Sequence, residues 1–130
     1  MIEGACHCGR VRWRFESEPD AATACNCTAC RRYGALWIYG WEGEDVFVSG
    51  QTKAYRRGEM VLGFHFCPEC GGMAYWRAVN MGPDGRRRLA VNVRLAAPEA
   101  VAAILIQQFD GLHSYEDWPR DGRTVADLWF

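Results

Sequence analysis

An all-β domain is what this sequence predicts, and three observations carry that expectation. Short runs alternate apolar and polar residues with a period of two, glycine turns separate the runs, and one segment alone reads as helix. Val11, Trp13 and Phe15 alternate with Arg12, Arg14 and Glu16, the mark of a strand with one buried face. After Gly34, the stretch Ala35 to Trp41 is a second strand, rich in aromatics. Val46, Phe47 and Val48 make a third, ended by the turn at Ser49-Gly50. Lys53 to Arg57 and Met60 to Phe66 form two more, joined by a turn at Arg57-Gly58-Glu59. Met73 to Ala78 and Leu89 to Leu95 follow, with Gly82-Pro83-Asp84-Gly85 turning between them. The one helix starts at Pro98, a good first-turn residue, with Glu99 at the positive end of its dipole. It continues to about Ile106, although Ile104-Leu105-Ile106 equally suits a strand. Tyr115, Trp118, Trp129 and Phe130 are aromatic anchors in a mixed tail.

Bulk properties narrow the function. With 130 residues, no linker, no repeat and no low-complexity tract, residues 1–130 read as a single domain. The net charge of -1 gives no basic excess, so no nucleic acid is expected as a partner. The run Arg86-Arg87-Arg88 reads as a solvated loop tip. The longest apolar run, Ala100 to Ile106, is far below the roughly 20 residues that span a bilayer, so no membrane is expected. No charged and apolar leader opens the sequence, so a cytoplasmic location is expected, where thiols stay reduced. Seven cysteines is also an odd number, which no complete disulfide framework absorbs.

The cysteines stand in three local groups: Cys6-x-Cys8, Cys25-x-Cys27-x-x-Cys30 and Cys67-x-x-Cys70. Two thiolates separated by two residues grip one metal from a tight turn, and Cys67-Pro-Glu-Cys70-Gly71-Gly72 has the residues for such a turn. A tetrahedral thiolate site needs two more sulfurs. Cys6 and Cys8 are the leading candidates, since residues two apart in a strand face one side and leave His7 pointing away. Cys25, Cys27 and Cys30 then remain as a trio. Three protein ligands leave a fourth position open, the arrangement of catalytic zinc. Seven thus divides as four plus three; other partitions mix sulfurs from all three groups. Iron–sulfur ligation is the other metal reading, but the spacing does not match ferredoxin runs. Any of His7, His65 and His113 could fill the trio's fourth position, and His65 lies two residues before Cys67.

Three motifs in this order and spacing resemble the glutathione-dependent formaldehyde-activating enzyme family, which also includes centromere protein V. They are Gly4-Ala-Cys6-His-Cys8-Gly9-Arg-Val11, Cys25-Asn-Cys27-Thr-Ala-Cys30-Arg31-Arg32-Tyr-Gly34 and Phe66-Cys67-Pro-Glu-Cys70-Gly71. The resemblance implies a zinc-held β-tent of antiparallel sheets with two zinc ions. Cys6, Cys8, Cys67 and Cys70 would bind the structural ion. Cys25, Cys27 and Cys30 would bind the second, as the catalytic centre where glutathione docks. The implied activity is that of a carbon–sulfur lyase, joining glutathione and formaldehyde into S-hydroxymethylglutathione. Glutathione or a similar small thiol is thus the expected partner. Its carboxylates call for cations, and Arg31 and Arg32, which follow the last ligand of the trio, are the nearest candidates for substrate binding. Tyr33, Trp37, Tyr39 and Trp41 either wall a pocket or, as alternating aromatics more often do, pack in the core. The alternative is a zinc-stabilised binding module without chemistry. A thiol–disulfide reductase would need the trio free of metal.

Overall fold

The computed structural model describes residues 1–58 and 61–128. Glu59 and Met60, expected in a turn and a strand, and the anchors Trp129 and Phe130 lie outside the described residues. Among the described residues, ten strands form two sheets. The smaller sheet holds β1 (Ile2–Ala5), β2 (Arg12–Phe15) and β5 (Val46–Ser49) in the order β1-β2-β5, all antiparallel. The larger holds β3 (Ala22–Cys25), β4 (Trp37–Trp41), β6 (Lys53–Arg56), β7 (Leu62–Phe66), β8 (Met73–Ala78), β9 (Arg88–Asn92) and β10 (Ile106–Phe109). Its order is β10-β3-β4-β9-β8-β7-β6.

The all-β expectation holds, with differences in detail. One pair, β10 with β3, is parallel, running from Ile106 opposite Ala22 to Phe109 opposite Cys25. The described residues form two short α-helices where one was expected: α1 (Cys30–Tyr33) and α2 (Pro98–Val101). Gly34 closes α1 with φ 65°, a left-handed conformation open to glycine, and its N–H returns to the Cys30 carbonyl. Helix α2 starts at Pro98 as expected but stops at Val101. Ile104 and Leu105 instead pair with remote backbone: their carbonyls accept from Val125 and Ala22 at 2.8 Å each. Tertiary pairing outweighs the weak helical bias of that stretch. Leu89 to Leu95 also splits, its last three residues making a 3-10 turn.

The two faces of the large sheet do different work. One face packs on the small sheet, where Trp13, Phe15 and Val46 meet Ile38, Leu89, Val91 and Tyr75 in the main core. The other face carries a second apolar cluster of Trp37, Phe64, Met73 and Ala90, joined by Cys30 and Ala35. Register explains the sorting. Tyr39 lies opposite Ala90, Ala90 opposite Trp76, Trp76 opposite Phe64, and Phe64 opposite Tyr55. Side chains directly opposite share a face, so one row across five strands carries four aromatic rings. Helix α1 covers one end of this face.

Candidate metal centres

Cys6 and Cys8 lie in the turn between β1 and β2, and Cys67 and Cys70 lie in the turn between β7 and β8. The four Sγ atoms come within 4.8 Å of one another. Cys6 and Cys8 sulfurs are 3.7 Å apart, and Cys8 and Cys67 sulfurs 3.6 Å. Cys6 and Cys8 converge by a turn rather than along a strand: β1 ends at Ala5, and the Gly9 N–H donates to the Cys6 carbonyl at 2.8 Å. His7 is exposed, as expected. The Val11 N–H donates to the Cys6 sulfur at 3.3 Å. A register shift between His65 and Phe66 ends β7 just before Cys67. The amides of Cys8 and Gly72 pull the Cys70 thiol down to about 6.

Cys25 ends β3, Cys27 lies in the following loop, and Cys30 opens α1; their sulfurs also lie within 4.8 Å of one another. The Cys30 N–H donates to the Cys27 sulfur at 3.2 Å, and the Trp37 indole N–H donates to the Cys30 sulfur at 3.4 Å. The Arg57 guanidinium stands 3.8 Å from the Cys27 sulfur. The hydrogen bond from Cys30, followed by the amides of Cys27 and Gly111, pulls the Cys25 thiol down to about 6. The same thiol pair, with burial, pushes Cys30 up. Among the described residues, no histidine, carboxylate or further cysteine brings a ligand atom into this cluster. His65 bonds Thr52 at 2.8 Å and stacks on Tyr75; His113 is exposed.

The trio opens onto a cavity of about 680 Å³. Trp37, Tyr39, Phe64, Trp76 and Phe109, the last residue of β10, line it from the sheet, with Gly111 and Tyr115 from the chain after β10 and Arg57 after β6. Desolvation by its neighbours raises the Tyr39 phenol to about 12, although part of the residue is exposed. Gly111 touches the trio so closely that a Cβ there would sit 2.6 Å from the Cys25 sulfur. Arg31 and Arg32 project from α1 into solvent and do not line this cavity. Arg32 donates to the Thr28 carbonyl at 2.9 Å and borders a neighbouring groove with Tyr33, Tyr55 and Arg57. Trp41 also stands apart, under the Arg86 guanidinium at 3.9 Å.

Clustered thiolates in this arrangement suit metal ions of soft or borderline character, and both groups are able to hold one. The family model of the glutathione-dependent formaldehyde-activating enzyme matches residues 1–98, a stretch containing all seven cysteines. The chain belongs to this family. A Halomonas elongata protein bearing the family's name is 29% identical over a 94-position alignment, and the match covers 58% of this chain and 55% of that protein. The chain thus spans little more than half the length of that relative. A Rhodobacter sphaeroides protein of known crystal structure superposes with a TM-score of 0.58 at 28% identity, over 72% of this chain and 85% of that one. The family match ends at residue 98, so Phe109, Gly111 and Tyr115, which wall the cavity here, lie beyond it.

Proposed function

We propose that the chain is a zinc-dependent carbon–sulfur lyase-type protein. It joins glutathione or a similar small thiol to formaldehyde or another aldehyde, giving S-hydroxymethylglutathione in the former case. The observation that carries this reading is the three-sulfur cluster in the wall of an open cavity, with no fourth ligand among the described residues. We take residues 1–130 as one domain with two zinc sites. Tetrahedral zinc with bonds of 2.3 Å to sulfur would set its ligands about 3.8 Å apart; the 3.7 and 3.6 Å separations in the four-sulfur cluster suit that edge. That cluster is the structural site, and Cys25, Cys27 and Cys30 hold the catalytic one. When bound at the trio, zinc would favour the thiolate form of an incoming thiol.

The chain's own groups do the rest. The Trp37 indole and the amides of Cys30 and Gly111 satisfy lone pairs on the trio and hold its sulfurs in place. Arg57, beside Cys27, takes a substrate carboxylate. We assign that contact to Arg57 rather than to Arg31 or Arg32, because Arg57 alone of the three lines the cavity. Tyr39, a phenol that is protonated at neutral pH, offers a hydrogen bond to the aldehyde oxygen.

Calorimetry on protein carrying two zinc ions per chain tests this. Glutathione should bind, and S-methylglutathione, which cannot form a thiolate, should bind at least roughly tenfold more weakly. Equal affinities, or no binding of either, would leave a metal-stabilised binding module in place of the enzyme.

A further inference from the structure

Resting on the thiol–aldehyde reading above, we propose that the preferred aldehyde carries an aromatic group, and that formaldehyde is the poorer partner. The cavity is far more apolar than glutathione and the smallest aldehyde together can use. Its volume of about 680 Å³ falls in the range of sites that enclose drug-sized ligands. Six aromatic rings line it: Trp37, Tyr39, Phe64, Trp76, Phe109 and Tyr115. Glutathione, with two carboxylates and an ammonium group, does not call for such walls. Among the described lining residues one cation, Arg57, answers its charges.

The rings are already set for stacking. Tyr39 and Trp76 lie 5.7 Å apart, and Trp37 and Phe64 6.3 Å, both tilted. These separations fall in the favourable range for ring pairs, which a further ring can extend. Trp76 and Phe109 keep part of their surface open, and Tyr115 is 72% exposed at the rim. Tyr115 also holds φ at 58°, an uncommon conformation for a residue with a side chain and one that gathers at functional sites. Phe109 and Tyr115 lie beyond the stretch that the family model matches, whereas the cysteine motifs lie within it. The walls around a reactive centre are where substrate choice is made.

The step balances without an oxidant or reductant. A sulfur–carbon bond forms, the carbonyl π bond opens, and the thiol proton ends on the former carbonyl oxygen.

Exchange NMR on the zinc-loaded full chain, with glutathione and either phenylacetaldehyde or formaldehyde, measures how far each reaction is accelerated over its uncatalysed rate. Acceleration should be at least roughly tenfold greater for phenylacetaldehyde, a modest return for burying a ring. Trp76→Leu and Tyr115→Ala should each cut that preference at least threefold, on the order expected for losing one ring contact. Independently of activity, 2-phenylethanol, which cannot react, should shift the Trp37 and Trp76 indole N–H signals in a saturable way. Acceleration of both aldehydes with formaldehyde equal or favoured would overturn the aromatic preference and leave the thiol–aldehyde function standing. Unshifted indole signals would overturn the preference as well. Acceleration of neither aldehyde would remove the function and the preference together.

Discussion

Arg57 illustrates how one residue acquires its role from its neighbours rather than from its own sequence context. It follows β6 and stands 3.8 Å from the sulfur of Cys27, thirty positions earlier in the chain. Arg31 and Arg32 are the neighbours of Cys30 in sequence, yet a helix turns successive side chains through about 100°, and α1 sends both into solvent. Arg57→Ala should therefore weaken glutathione binding by roughly tenfold or more, as loss of a charged hydrogen bond does. Arg31→Ala should change it less than about twofold, as for other exposed charges. Calorimetry on the two variants decides, and the reverse order would return the carboxylate contact to α1.

At the scale of an element, the segment after β10 acts as a strap over the trio. Asp110 is its clasp. Its carboxylate accepts from the Asn26 side chain at 3.0 Å, and from the His113 amide, the Ser114 amide and the Ser114 hydroxyl at 3.1 Å each. Asn26, between two of the trio's cysteines, also accepts from the Leu112 amide at 3.0 Å. The strap and the cysteine loop are thus tied at both ends of one side-chain amide. The Asn26 bond, followed by the Ser114 amide, holds the Asp110 carboxyl well below the usual carboxylate range. A folded-state value lowered in this way stabilises the protein fully above the unfolded value, about 3.9 for aspartate. That stability is lost as pH falls below it toward the folded value. Asp110→Asn, which replaces one acceptor oxygen by a donor, should lower Tm by a few degrees near neutral pH. The gap to the unsubstituted protein should begin to narrow below about pH 4, where the carboxyl protonates in the unfolded chain while it is still ionised in the folded one. Thermal melts of the pair across pH read this directly; a gap that does not change with pH would show that Asp110 is not the clasp.

At the scale of the molecule, the four-sulfur cluster joins the two sheets. Cys6 and Cys8 leave the small sheet and Cys67 and Cys70 leave the large one. Cys6 and Cys67 also belong to the main core. Binding of structural zinc contributes about 10–16 kcal/mol in zinc-finger peptides, as much as the roughly 5–15 kcal/mol that holds a typical domain folded. Cys67→Ala should therefore leave the chain unfolded or aggregated, with no cooperative melt and less than one zinc retained at this site. A soluble variant with an unchanged Tm would exclude a structural metal there. The run Arg86-Arg87-Arg88, expected as a solvated tip, is knitted to its surroundings at this scale. Arg86 grips Glu44 with two bonds of 3.0 and 2.9 Å and covers Trp41, and Arg88 lies over Tyr39 and Trp41.

The sequence by itself determined the all-β class, most of the strands and the division of the cysteines into four and three. Those features are local: a period of two, a glycine turn and a two-residue gap between thiols each lie within a few neighbouring positions. Only the tertiary structure decided that Arg57 faces the trio, that β3 and β10 pair in parallel, and that Phe109, Gly111 and Tyr115 complete the cavity. The contacts behind them span long stretches of chain, Asn26 to Asp110 among them. A strand such as Ala22–Cys25 has no large apolar residues to mark a period, and it takes its place only when remote backbone supplies its hydrogen bonds. The face on which an aromatic ring falls likewise depends on strand register, which a shift of one residue would reverse. The grouping of the cysteines was therefore legible in their spacing, while the walls of the cavity arose from pairing across the fold.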